Sequence, residues 1–255
     1  MTATVPLTAT QRLLAKQPYC IYCGGTTLAT TREHIPSRVI FDAKHRPKGL
    51  EFSACEPCNS ATRKAETVIA MLSRVFPDRS VRSNKSEMRK LADAAFRNHP
   101  GLADEMHLDQ VAGLQRLGER AKNLPTWNFL NVNGPICRGS LDQFGVKLGL
   151  SLHYEATKQI VPVGGAVLLN HYSNVDAFTG EIPPDLLGLF GEGTTLKQGR
   201  LEVSKQFRYS SLWAEDTLNI SMHLAVFRES FGTLMIVAHD ANHLPEGSQV
   251  EAFYI

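Results

Sequence analysis

Cys20 and Cys23 in "CIYC", and Cys55 and Cys58 in "CEPC", are the residues whose type and spacing point first to chemistry. Each C-x-x-C bends the chain into a knuckle that aims two sulfurs at one point. Two knuckles supply the four thiolates of a closed tetrahedral zinc site, and closed sites of this kind are structural. The segment between Cys23 and Cys55 is too short and too polar to form a core of its own. A bound metal would supply its folding free energy, on the order of 10 kcal/mol in small zinc peptides. The competing readings are two disulfides, which suit an exported chain, or thiols that are merely buried or redox-active. Inside the loop, "TREHIPSR" sets an acid, Glu33, directly before a histidine, His34. After the second knuckle comes Asn59, a residue type that favours a helix N-cap.

These residues together resemble the HNH endonuclease family in its four-cysteine zinc-ribbon branch. The resemblance rests on Cys20/Cys23, Glu33-His34-Ile35-Pro36, Cys55/Cys58-Asn59 and Lys64, and covers about residues 18–70. It implies a ββα-metal fold, two antiparallel strands and a helix around one catalytic divalent ion. It implies His34 as the general base that takes a proton from the attacking water, a task suited to a side chain that titrates near neutrality. Glu33 and Asn59 would hold the ion, and such hard ligands suit Mg2+ or Mn2+. The substrate would be a phosphodiester bond of nucleic acid, DNA first. Two positions depart from the family pattern. No asparagine stands between His34 and Asn59 to orient the base, so a backbone carbonyl is expected in that role. Some members place a further ligand four residues into the helix, where this chain has Arg63. Glu66, one turn on, is the candidate substitute. The alternative reading is a zinc module without catalysis that binds nucleic acid or a protein partner.

Around this constellation Arg32, Arg38, Arg63 and Lys64 are candidate phosphate contacts. Arg74, Arg79, Arg82, Arg89 and Lys90 extend the basic stretch, and solvated helix faces look the same. Residues 1–100 carry 16 Lys and Arg against 8 Asp and Glu, whereas residues 101–255 carry 11 against 17. A basic front half beside an acidic back half suits a polyanion met by the front. Hydrophobic residues make up 43% of the 255, and no apolar run approaches a membrane span. The opening lacks a secretory signal, so a cytoplasmic setting is expected.

The elements that must position these groups follow from periodicity. A short helix is predicted before Cys20, short strands from Tyr19 to Asn59, and a helix from Asn59 or Ser60 to before Pro77. Further helices are predicted over "KSEMRKLADAAFRNH" and, as one unit, over "LADEMHLDQVAGLQRLGERAK". A longer helix over 134–158 contains Gly145 and Gly149, which allow close packing, and Cys137, read as a small buried residue. Alternating apolar text then predicts an antiparallel sheet covered by that helix. Trp127 and Trp213 are read as packing residues. The expected architecture is α+β: a small head over residues 1–85, and a larger helical and antiparallel-sheet body over 86–255.

Overall fold

Thr8 opens the first helix, α1 (Ala9–Lys16), with a capping box. Its hydroxyl accepts the Gln11 N–H, and the Gln11 side chain accepts the Thr8 N–H in return. The computed structural model describes residues 6–45, 47–75, 85–123, 129–191, 193–198, 201–203, 205–214, 217–244 and 251–255. Arg79, Arg82 and Trp127 lie outside the described residues.

Strands β1 (Thr31–His34) and β2 (Glu51–Ala54) form an antiparallel hairpin in which Glu33 lies opposite Phe52 and His34 opposite Glu51. The helix that follows begins earlier than Asn59. Cys55 stands at its N-cap position with Pro57 in the first turn, and α2 (Glu56–Ala61) bends at Thr62 into α3 (Arg63–Leu72). Proline fits a helix start because the first N–H groups have no intrahelical partner. The chain continues through α4 (Lys85–Asn98), α5 (Leu102–Met106) and α6 (Gln110–Leu117). The single helix expected over this last pair is therefore two. Asp109 breaks it, turning its carboxylate onto the Ala112 N–H as an N-cap.

Helix α7 (Pro135–Thr157) matches its predicted span closely. The Glu105 carboxylate receives the first N–H groups of this helix, from Ile136 at 2.9 Å and Cys137 at 2.7 Å. Cys137 is fully buried, and burial, with Glu105 second, pushes its thiol up to about 12. Beyond α7 come β3 (Ala166–Ser173), α8 (Asn174–Thr179), α9 (Pro184–Phe190) and the short strands β4 (Thr194–Thr195), β5 (Lys197–Gln198) and β6 (Leu201–Glu202). Strands β7 (Arg208–Ala214), β8 (Thr217–Phe227), β9 (Phe231–Ala238) and β10 (Glu251–Tyr254) complete the chain. The sheet is antiparallel with six strands in the order β10-β3-β9-β8-β7-β4. Helices α8 and α9 went unpredicted, although Ser173 and Asp176 form a second capping box.

Helix α7 lies across one face of that sheet and is buried on nearly all sides. This explains why its apolar residues show no single stripe. Gly145 and Gly149 seat it: a Cβ at either would come within 2.9 Å of Leu169 or 3.1 Å of Val167. Lys147, two residues from each and so on the opposite side of the helix, faces the hairpin and α3. The apolar core is continuous from Ile21, Phe52 and Ile69 in the head through Leu148 to Val167 and Met235 in the sheet. Among the described residues no helix is long and apolar enough to cross a membrane.

Between α7 and the sheet runs a chain of polar side chains. His239 Nε2 lies 2.9 Å from His153 Nε2, and His153 Nδ1 lies 2.7 Å from Ser221 Oγ. That hydroxyl is 2.7 Å from His223 Nε2, and His223 Nδ1 is 2.8 Å from Ser211 Oγ. Burial depresses His153 to about 4 and His223 to about 3, with the neighbouring histidine adding to each. Both stay neutral in the fold and protonate in the unfolded chain near 6.5. The unfolded state therefore binds more protons below that pH. The stabilising difference is present above pH 6.5 and is lost as pH falls towards 4, by roughly 1.4 kcal/mol per pH unit for each histidine. Urea midpoints measured from pH 7 to pH 4.5 are expected to fall, and to fall less in His223→Gln.

Candidate functional site

The four cysteines meet. The Sγ atoms of Cys20, Cys23, Cys55 and Cys58 lie within 4.8 Å of one another, and no disulfide joins them. Zn–S bonds of about 2.3 Å in a tetrahedron set sulfurs roughly 3.8 Å apart, so the cluster fits zinc. Backbone geometry builds the first knuckle: the Tyr22 N–H points at Cys20 Sγ at 3.4 Å, and Gly24 and Gly25 turn the chain at φ of 67° and 70°. Gly24 also runs against the body, where a Cβ would sit 2.7 Å from Val163 Cγ2. Burial pushes the Cys20 thiol up to about 11 and raises Cys58 as well, so binding a metal must displace protons. Comparison with protein-family models, with curated proteins and with solved structures finds no match. Fold and site define a mixed α+β protein with a four-cysteine metal-site candidate at the hairpin.

Strand alternation sends Glu33 and His34 to opposite faces of β1. On one face His34 Nδ1 lies 3.4 Å from Glu51 Oε1, and Arg32 Nη1 lies 3.1 Å from Glu51 Oε2. A carboxylate from the register partner thus stands beside the imidazole. Glu51 carried no motif signal, and only the pairing of β1 with β2 could have pointed to it. His34 Nε2 is out of contact with solvent.

On the other face Glu33 is buried, with Oε1 3.2 Å from Lys147 Nζ. The same ammonium donates to Thr62 Oγ1 at 2.8 Å and to the Asn59 carbonyl at 3.3 Å. The Thr62 hydroxyl in turn donates to Glu66 Oε1 at 2.7 Å. The Tyr22 ring lies 5.4 Å from the ammonium, and its hydroxyl meets Ser151 Oγ at 2.9 Å. Burial raises Glu33 to about 7. Lys147 opposes that shift, Glu66 reinforces it, and the net direction shows that desolvation wins.

Each residue expected to hold a second ion has another partner: Glu33 Oε1 meets Lys147, Glu66 Oε1 accepts from Thr62, and the Asn59 side-chain amide donates to Thr31 Oγ1 at 2.8 Å. Among the described residues no other group of three or more His, Cys, Asp or Glu brings its donor atoms as close as the four cysteines do. A divalent ion does not fit this face as folded, because an ammonium already stands among its oxygens. Lys147, like Glu51, is a residue that sequence reasoning missed. It lies 114 positions from Glu33 and in a helix with no other motif.

Of the basic candidates, Arg38, Arg63 and Lys64 are exposed, and Arg63 pairs with Glu56 at 3.4 Å. Arg89 and Lys90 are exposed on α4. Arg74 is not a surface charge: it is buried, with Nη2 3.5 Å from Asp42 and 3.4 Å from Glu87. Asp42 also meets Arg228 Nη2 of the body at 2.8 Å.

Two expectations follow. Without the ammonium the buried Glu33 carboxyl must take up a proton, and the Thr62 and Asn59 oxygens lose its donors, so Lys147→Met should cost about 3 kcal/mol in urea unfolding. Adding Glu33→Gln should recover part of that cost, because no proton then has to be taken up. Cys55→Ser, or zinc removal by a strong chelator, should abolish protection of the hairpin amides in hydrogen exchange while leaving β8 and β9 protected.

Proposed function

We propose that the chain is an HNH-type endonuclease that hydrolyses phosphodiester bonds of nucleic acid, DNA first, with His34 as the base. One observation carries this reading. The segment bearing Glu33-His34 folds as the first strand of a hairpin that runs directly into a helix, with all four cysteines clustered at its root. Held through Nδ1 by the Glu51 carboxylate, the imidazole keeps its lone pair on Nε2, the nitrogen that would take the proton of water. Glu51 then takes the place of the family's orienting asparagine, and its charge favours the imidazolium that forms. Arg32 beside Glu51, with Arg38, Arg63 and Lys64 on the exposed surface, would meet phosphates.

The second reading is a zinc module that binds nucleic acid or a protein partner without cutting. It is favoured by the solvent-shielded Nε2 of His34 and by the ammonium of Lys147 among the expected ion ligands.

Plasmid nicking by wild-type, His34→Ala and Glu51→Gln protein, each with one bound zinc confirmed, separates the two readings. Nuclease chemistry predicts cleavage at least ~100-fold slower in His34→Ala, and a smaller loss with a shifted pH profile in Glu51→Gln. DNA binding with equal, background nicking in all three would leave the binding module.

A further inference from the structure

The ammonium of Lys147 has three protons, and among the described residues three oxygens face it: Glu33 Oε1 at 3.2 Å, Thr62 Oγ1 at 2.8 Å and the Asn59 carbonyl at 3.3 Å. One is a carboxylate, one a hydroxyl and one a backbone carbonyl, the donor types that hard cations take. They come from β1, the bend between α2 and α3, and the start of the helix after the second knuckle, whereas the cation comes from the body. We propose that this cradle is a cation site whose occupant is built into the chain, so that Lys147 stands where a divalent ion would otherwise bind. The choice of a divalent competitor rests on the nuclease reading, while the cradle itself does not.

The geometry gives reasons for exclusion. Lys147 is almost fully buried and the Tyr22 ring lies against its ammonium, so the position is closed to a hydrated ion. Mg2+ and Mn2+ sites typically retain several waters and take octahedral geometry, and Glu66, the next acid, is committed to Thr62. An ion of charge +2 would have to displace an ammonium that is covalently part of α7, a helix fixed on its other side by Gly145 and Gly149 against the sheet. Occupancy by a divalent ion and the packing of α7 on the head are therefore alternatives.

The test is Mn2+ uptake by the zinc-loaded full chain, read by loss of the free-ion electron paramagnetic resonance signal. Wild type and Glu33→Gln should give coincident curves, because Glu33 is not available to Mn2+. Lys147→Ala should gain one site at least tenfold tighter than any in wild type, and Lys147→Ala with Glu33→Gln should lose it again. Wild-type uptake of one Mn2+ that Glu33→Gln abolishes would overturn the inference, as would a folded Lys147→Ala protein that gains no site. If Lys147→Ala fails to fold, the comparison of wild type with Glu33→Gln still decides. Absence of His34-dependent cleavage would overturn the nuclease reading and leave the Mn2+ result standing.

Discussion

A charge can be buried only where oppositely charged or polar groups replace its water, and Lys147 is the place where this constraint organises the molecule. Its ammonium sits in the seam between the hairpin and the body, and its three oxygen partners arrive from separate parts of the head. None of those parts can shift alone without stranding either the ammonium or a carboxylate. The seam therefore sets the hairpin, the bend at Thr62 and the long helix relative to one another. The apolar core does not stop at a boundary between head and body, but runs through both.

Helix α7 is held on both sides. The helix touches the sheet through two glycines, and Leu169 and Val167 occupy the space that side chains would have filled. Its opposite side carries Lys147, whose ammonium meets oxygens of the head. A second tie stands nearby, where Asp42 is shared by Arg74 of the head and Arg228 of the body. Burial, and next the guanidinium of Arg228 beside it, lower the affinity of Arg74 for its proton, and Glu87 and Asp42 oppose that effect. Charged groups thus recur at the contact between the two parts, and the contact of α7 with the sheet combines apolar packing with the histidine–serine chain and the Asp142–His171 pair.

Strand geometry divides the central dipeptide into two environments. His34 joins Glu51 and Arg32 on one face, while Glu33 enters the seam. Adjacent residues with adjacent roles in a linear motif thereby acquire different solvent access, different partners and different acid–base behaviour. The raised Glu33 carboxyl is the measure of that difference, since burial outweighs even an ammonium at contact distance.

The sequence alone determined what depends on local spacing. Two C-x-x-C units predict a four-cysteine cluster because a knuckle is a local structure. The 134–158 helix and strands β3, β7, β8 and β9 were legible because their apolar residues and turns repeat over many positions, whereas the short β4 and β10 were not. The helix breaks at Thr62 and Asp109 were misjudged: at Asp109 a single side chain caps a new helix, and at Thr62 the bend comes without a side-chain cap in a pattern that otherwise continues. Tertiary structure decided which oxygens and cations share a space. Glu51 reaches His34 only through strand register, and Lys147 reaches Glu33 only because α7 is pressed onto the head by the sheet behind it. Neither relation leaves a local trace, because a lysine among apolar residues in a helix reads the same whether it faces water or a buried carboxylate.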